Sequence, residues 1–128
     1  MLSRRAVFTS LAAIALIAGP ARAFEFQPYD PAAVEKAIAS GKPVVVHVYA
    51  PWCLQCHMQK SILEGLSTDK KYDGVQFFRV DYDNQKDIVA KFNCPRSTVI
   101  SFKNGKELGR MSWGMTQASV TEVLDKAI

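Results

Sequence analysis

The chain has 128 residues, of which 48% are apolar and 22% charged, a balance that is ordinary for a globular domain. This composition excludes collagen-like repeats and intrinsic disorder, and about a hundred residues beyond the N-terminal segment leave room for one domain. Three of the 16 basic residues are Arg4, Arg5 and Arg22, and without them 13 basic residues face 12 acidic ones. A nearly neutral domain gives no reason to expect a nucleic-acid partner or an acidic membrane surface as a partner.

Residues 1–23 have the pattern of an export signal. An arginine pair, Arg4 and Arg5, precedes an apolar run over residues 6–18, and Ala21-Arg22-Ala23 places small residues at the expected cleavage positions. The apolar run has 13 residues, fewer than the roughly 20 that span a bilayer, which favours a cleaved signal over a membrane anchor.

The same arginine pair also resembles the twin-arginine motif of bacterial export signals, in the segment Ser3-Arg4-Arg5-Ala6-Val7-Phe8. Both export routes are open on this pattern. Cleavage would leave Phe24 as the new N-terminus. We therefore expect a mature domain over residues 24–128 that is periplasmic or secreted and has no stable membrane insertion.

The first segments of this domain predict a helix and a buried strand. A short strand fits residues 24–27, and a helix is predicted over residues 31–40, with Pro31 in its first turn and Gly41 after its end. Residues 44–50 form an unbroken, mostly β-branched apolar run, which is typical of a strand that is covered on both faces.

The central segments continue this alternation. From Cys53 the spacing becomes helical, because apolar side chains recur at steps of four, at Met58, Ile62 and Leu66. Residues 67–73 interrupt the helix. A second strand is then predicted over residues 75–82 and a further helix over residues 85–92.

The last segments predict a hairpin followed by a helix. A strand over residues 98–102 leads into the turn signal Asn104-Gly105, so residues 106–111 should return as an antiparallel strand. Residues 116–128 form an amphipathic pattern whose apolar positions are Val120, Val123, Leu124 and Ala127. The whole order predicts an α/β fold, a three-layer sandwich in which helices flank a central mixed sheet of four or five strands.

Two cysteines, Cys53 and Cys56, stand where the first long strand ends and a helix begins. Unpaired N–H groups and a partial positive charge at a helix N-terminus favour a thiolate at Cys53. Cys56 lies one turn further on, where it can attack a mixed disulfide formed by Cys53, in an exchange that needs no cofactor. Trp52 beside the pair either offers a flat surface to a substrate chain or packs in the core.

Four segments carry a resemblance to a known family. They are Ala50-Pro51-Trp52 at the end of a strand, the pair Cys53 and Cys56, Val80-Asp81-Tyr82-Asp83, and Thr98-Val99-Ile100-Ser101-Phe102-Lys103-Asn104-Gly105. With them the chain resembles thioredoxin from about Phe24 onward. The resemblance implies a thioredoxin-like fold, reversible exchange with protein disulfide or dithiol substrates, and a redox partner that recycles the cysteine pair.

The chain departs from this family pattern at three places. Leu54-Gln55 replaces the usual Gly-Pro between the cysteines, so the family's redox potential cannot be transferred. His47 stands where the family has a buried Asp that assists proton transfer. As a neutral imidazole His47 could relay protons to Cys56, or it could be a hydrogen-bonded core histidine without a catalytic role.

The third departure is Ser97, which stands where the family has a cis-proline facing the cysteines. A cis bond before a non-proline residue costs about 2.5 to 4 kcal/mol, so we expect a trans bond between Arg96 and Ser97. The Ser97 hydroxyl and the Arg96 charge would then lie within reach of the Cys53 thiolate and lower its pKa. Alternatively, Ser97 only begins the strand and Arg96 points to water.

One rival hypothesis is a c-type haem protein, because Cys53-Leu54-Gln55-Cys56-His57 matches the attachment signature. His57 would be one axial ligand and Met111 or Met115 the other. The motif stands behind a β-branched strand and ahead of a hairpin, surroundings that do not favour haem attachment.

A second rival is a metal-binding or metal-delivery module that uses Cys53 and Cys56 with either His57 or Cys94. The spacing suits a metal, and the family's cis-proline, which shields the dithiol from metals, is missing. A structural zinc site needs four ligands, however, and a second pair is absent. Cys94 can equally be a third redox thiol or a small apolar filler.

Overall fold

The structure is a computed structural model that describes residues 24–128, so the predicted export signal lies outside the described residues. Its strands are β1 (Phe26–Pro28), β2 (Val44–Tyr49), β3 (Gln76–Asp81), β4 (Thr98–Lys103) and β5 (Lys106–Ser112). Its helices are α1 (Pro31–Ala39), α2 (Leu54–Leu66), α3 (Lys86–Phe92) and α4 (Gln117–Asp125), with one 3-10 turn at Lys70–Tyr72. Within residues 24–128 no helix has the length and apolar character needed to cross a membrane.

The five strands form a single mixed sheet in the order β1-β3-β2-β4-β5. β1 and β2 both pair with β3 in parallel, whereas β4 is antiparallel to β2 and to β5. The predicted hairpin is present, with Asn104 and Gly105 both at positive φ between β4 and β5. The predicted α/β sandwich with a four- or five-stranded sheet is therefore confirmed, with five strands.

Alternation along β2 divides the apolar core into two layers, because successive side chains point to opposite faces of the sheet. Val44, Val46 and Val48 pack in the layer beneath α1 and α3, where Val34 and Ile88 also lie. The other layer lies beneath α2 and α4 and contains Val45, Leu63, Phe77, Val120 and Leu124. The sheet is covered on both faces, as the apolar run of β2 predicts.

Helix α2 turns a different face to the core from the one that its apolar spacing predicts. Its buried side chains are those of Cys56, Gln59, Leu63 and Leu66. Met58 is 41% exposed, whereas the neighbouring Gln59 is completely buried. Met58, one of the apolar positions that mark the helix, thus lies largely outside the core, and Gln59 is buried instead because polar partners inside the fold bind it.

Candidate active site

The end of β2 and the start of α2 bring the two cysteines together. After Tyr49 the chain turns, and Cys53 becomes the N-cap residue of α2 with extended backbone angles. The Cys56 N–H donates to Cys53 Sγ over 3.2 Å, so the first sulfur receives one of the donors left free at a helix start. Cys53 is 2% exposed and Cys56 is fully buried, and both are free thiols in this structure.

The two thiols have pKa values shifted in opposite directions. Burial alone would raise the pKa of Cys53, but the side-chain and backbone contacts of Cys56 and the Arg96 guanidinium outweigh it, so this pKa lies below its usual value. Burial, followed by the neighbouring Cys53 sulfur, raises the pKa of Cys56 to about 11. The structure thus favours a thiolate at the first cysteine and a thiol at the second.

The loop before β4 crosses the cysteine pair through Arg96 and Ser97. No cis peptide bond occurs within residues 24–128, which confirms the trans bond expected between these two residues. Ser97 adopts a left-handed φ of 62°, and its N–H donates to Val48 O over 2.9 Å. This strained conformation lets a serine bring the loop close to the cysteines without a proline.

Arg96 and Ser97 act on different sulfurs. The positive charge of the Arg96 guanidinium helps to lower the pKa of Cys53. The buried Ser97 hydroxyl faces Cys56 instead, where it acts to lower that pKa, although it makes no hydrogen bond of ordinary geometry. The expectation that both residues lie at Cys53 therefore matches the structure only for Arg96.

Two tryptophans flank the pair at the surface. Trp52 is 59% exposed, so it is not a core residue, and its indole N–H donates to the Asp83 carboxylate at 2.9 and 3.1 Å. Trp113 lies after β5, and its backbone N–H donates to Ser97 O over 2.9 Å. Both side chains are available to a molecule that approaches Cys53.

A buried polar chain runs behind the cysteines and begins at Arg79. The Arg79 Nε–H donates to His47 Nδ1 over 3.4 Å, and because an arginine can only donate, the histidine proton must reside on Nε2. His47 Nε2 therefore donates to Gln59 Oε1 over 3.0 Å. Burial and the Arg79 charge lower the pKa of His47 to about 3, so the imidazole stays neutral.

Gln59 continues this chain to the loops around the site. With its carbonyl oxygen turned to His47, its NH₂ group donates to Ser97 O over 3.0 Å and to Gly114 O over 2.9 Å. One side chain thus holds both loops against α2. Gln59 is not among the residues predicted from the sequence, where its only signal is its place one turn after Cys56.

His47 is thereby placed as a hydrogen-bonded core histidine. Both of its ring nitrogens are engaged, by Arg79 and by Gln59, and neither bonds to Cys56. Its influence on the cysteines runs through the position of Gln59. The geometry does not support the alternative in which His47 relays a proton to Cys56.

Three of the residues named for the rival haem and metal sites, His57, Met111 and Cys94, are engaged elsewhere. The His57 ring bonds to Tyr49 and to Pro51 O, and Met111 Sδ accepts from Gly114 N. Cys94 packs at the edge of the core layer beneath α1 and α3, and burial raises its pKa. No cluster of three or more His, Cys, Asp or Glu side chains suited to a metal occurs in the described part of the chain.

Comparisons with known proteins agree with this geometry. The family model named Thioredoxin matches residues 26–126. Thioredoxin-1 of Saccharomyces cerevisiae is 33% identical over 91 residues, which cover 70% of this chain and 85% of the yeast protein. Rabbit (Oryctolagus cuniculus) thioredoxin is 36% identical over 90 residues, covering 67% of this chain and 84% of that protein.

Solved structures of thioredoxins and thioredoxin-like proteins share this fold. The crystal structure of Trxlp from Edwardsiella tarda matches with a TM-score of 0.74 and 34% identity, over 78% of this chain and 98% of that one. A thioredoxin from Fasciola hepatica matches with a TM-score of 0.65 and 29% identity, over 76% and 93% of the two chains. With a dithiol at the start of α2 and a family match over most of its length, the chain belongs to the thioredoxin family, whose members are thiol-disulfide oxidoreductases.

Proposed function

We propose that this oxidoreductase works on protein disulfides outside the cytoplasm, with Cys53 as the attacking thiol and Cys56 as the resolving thiol. The division of roles rests on the surroundings of the two sulfurs, which shift their pKa values in opposite directions. The Cys53 sulfur accepts the Cys56 N–H and is stabilised as a thiolate by the Arg96 charge, whereas Cys56 is deeper and holds its proton.

The exchange has two steps. The Cys53 thiolate attacks one substrate sulfur, forms a mixed disulfide and expels the other substrate sulfur as a thiolate, which takes up a proton. Cys56 then loses its proton and attacks Cys53 Sγ, which releases the second substrate sulfur and leaves a disulfide between Cys53 and Cys56. The substrate gains two electrons and two protons, and the reverse sequence oxidises a substrate dithiol.

The proton of Cys56 does not pass to the buried histidine behind the site. His47 is held neutral and its ring nitrogens are occupied, so we assign the proton to the departing substrate thiolate. A redox partner must afterwards restore the cysteine pair to its starting state. The direction in which the cycle runs is set by the potential of the pair against that of its compartment.

Three cysteine variants test the roles. With a protein disulfide as substrate and a small dithiol as reductant, Cys53→Ser should abolish reduction, and Cys56→Ser should accumulate mixed disulfides that a gel resolves without reductant. Cys94→Ser is the matched control and should retain activity, because Cys94 lies at the core edge. A Cys53→Ser variant that still reduces the substrate would contradict the assignment of Cys53 as the attacking thiol.

The extracytoplasmic location rests on the signal-like pattern of residues 1–23. Expression of the full chain in an exporting bacterium should give a periplasmic product whose N-terminus, read by mass spectrometry, is Phe24. Replacing Arg4 and Arg5 by lysines should block export only if the twin-arginine route is used. A product that keeps Met1 and stays in the cytoplasm would refute the location.

A further inference from the structure

Arg96 lies between the only two tryptophans of the chain, on the face that carries Cys53. Its guanidinium carbon is 4.7 Å from the centre of the Trp52 ring and 4.8 Å from the centre of the Trp113 ring. A planar cation between two aromatic rings is attracted to both, and each ring limits its rotation. The two rings thus fix the guanidinium, whose charge acts on the Cys53 sulfur.

Both tryptophans are themselves fixed. The Trp52 indole is anchored by two hydrogen-bond distances to the Asp83 carboxylate, 2.9 and 3.1 Å. Trp113 has a left-handed φ of 69°, a conformation that is unfavourable for a bulky residue. Strain of this kind persists where the surrounding structure needs the residue in that place. Here the strained backbone places the Trp113 indole against the Arg96 guanidinium.

Arg96 has no carboxylate partner within residues 24–128. None of the four ion pairs in that part of the chain includes it, and its buried Nε has no hydrogen-bond partner. Asp83, the acid bonded to Trp52, forms no ion pair with Arg96: its carboxylate oxygens lie more than 4.0 Å from the Arg96 nitrogens. Among the described residues, the anion on which the Arg96 charge acts is the thiolate form of Cys53.

That anion disappears during the reaction. Once Cys53 forms a mixed disulfide its sulfur is neutral, and the clamped guanidinium loses the charge it was paired with. A cation in such a half-buried position gains from a new acceptor, and a carboxylate is the strongest one that a polypeptide offers. Exposed apolar side chains stand next to the site in the chain: Leu54, which follows Cys53, is 69% exposed, and Trp52, which precedes it, is 59% exposed.

We propose that Arg96 selects substrates that carry an aspartate or glutamate close in sequence to the reacting cysteine. The carboxylate would replace the Cys53 thiolate as the partner of the guanidinium when the mixed disulfide forms, while Leu54 and the two indoles contact apolar neighbours. This specificity rests on the proposed function, in which Cys53 is the attacking thiol.

The test uses two peptide disulfides that differ only in having Glu or Gln next to the reacting cysteine. Prereduced protein in excess is mixed with each, and the reduced peptide is measured by chromatography. Each rate is divided by the rate with dithiothreitol, because a neighbouring carboxylate also changes the intrinsic reactivity of a disulfide. The ratio of the Glu-peptide rate to the Gln-peptide rate is then taken for each variant. Any change in the ionisation of Cys53 affects both rates equally and cancels in this ratio.

We expect a ratio of roughly three to ten for the unaltered protein, a range typical of a charge-assisted contact that is partly exposed. The ratio should fall to about one in Arg96→Gln. In Arg96→Lys, which keeps the charge without the planar guanidinium, it should lie between the ratios of the unaltered protein and Arg96→Gln. Lys103→Gln is the matched control, because it removes one positive charge at the opposite end of β4.

A second measurement needs no variant. The ratio of the unaltered protein should decline towards one as NaCl is raised to about 0.5 M, because salt screens an exposed ion pair. A ratio near one at low salt, or one that Arg96→Gln leaves unchanged, overturns this inference while the proposed function stands. Reduction of both peptides by Cys53→Ser would instead overturn the proposed function.

Discussion

Acidification should destabilise this protein through one buried residue, His47. In the folded state its pKa is about 3, because burial and the Arg79 charge oppose protonation, whereas an unfolded chain has the ordinary value of 6.5. Below pH 6.5 the unfolded state therefore binds a proton that the folded state does not. Stability from this group is complete above pH 6.5 and declines as the pH falls towards 3.

The size of the effect follows from the two pKa values. At pH 5 nearly all unfolded molecules carry the proton and almost no folded molecules do, so the unfolded state gains about 2 kcal/mol relative to pH 7.5. At pH 3, where half of the folded molecules also carry the proton, the loss would reach roughly 4 kcal/mol, since a tenfold difference in proton affinity between the two states corresponds to about 1.4 kcal/mol. Such a loss is a large part of the stability of a small domain.

Urea unfolding followed by far-ultraviolet circular dichroism at pH 5 and 7.5 measures this decline. The disulfide form is used, so that neither active-site thiol titrates. His47→Leu should show almost no decline from this source, although it is less stable throughout because Gln59 and Arg79 lose a partner. His57→Gln, at an exposed position, is the control that should keep the decline.

Parallel curves for the unaltered protein and His47→Leu between pH 5 and 7.5 would refute the reasoning. A spectroscopic check does not depend on the variant being stable. The imidazole resonances of His47 in the folded protein should show no titration between pH 7.5 and 4.5. An inflection near pH 6 would mean that the imidazole is accessible to protons.

Three further predictions concern the loops around the cysteines. Gln59→Leu leaves the Ser97 and Gly114 carbonyls and the His47 N–H unpaired, and should lower the free energy of unfolding by about 2 to 4 kcal/mol in a urea titration; a loss under about 0.5 kcal/mol would contradict this. Arg96→Gln should raise the pH midpoint of Cys53 alkylation by iodoacetamide, because a positive charge beside the thiolate is lost; an unchanged midpoint would show that the charge does not act there. Replacement of Trp113 by Gly should leave the protein about 1 kcal/mol more stable than replacement by Ala, since only Gly adopts its φ of 69° without strain; equal stabilities would argue against the strain.

Regular structure was the part that the sequence predicted best, because its signals are local. The β-branched run of β2, the turn residues Asn104-Gly105 and the apolar positions of α4 each determine their element within a few residues, and the predicted and observed bounds differ by at most three residues. The 3-10 turn at Lys70–Tyr72 was not predicted, since it lies in a segment without apolar periodicity.

The polar chain behind the cysteines was not predictable by the same means. Its members come from β2, β3 and α2, and a glutamine is buried there only because His47 and two loop carbonyls converge on it. Apolar spacing favours Met58 as the inward residue, and no local signal marks Gln59. The placement of Ser97 at Cys56 and of Arg96 at Cys53 likewise depends on how one loop crosses the helix start.

The position of both indoles beside the cysteines has a consequence for spectroscopy. Because Trp52 and Trp113 are the only tryptophans, all of the tryptophan emission of the chain originates within the active site. Thiols and disulfides quench a nearby excited indole to different extents, so a change in the state of the cysteine pair should alter the emission intensity directly. Stopped-flow fluorescence should therefore record formation and resolution of the mixed disulfide in single turnovers of the unlabelled protein.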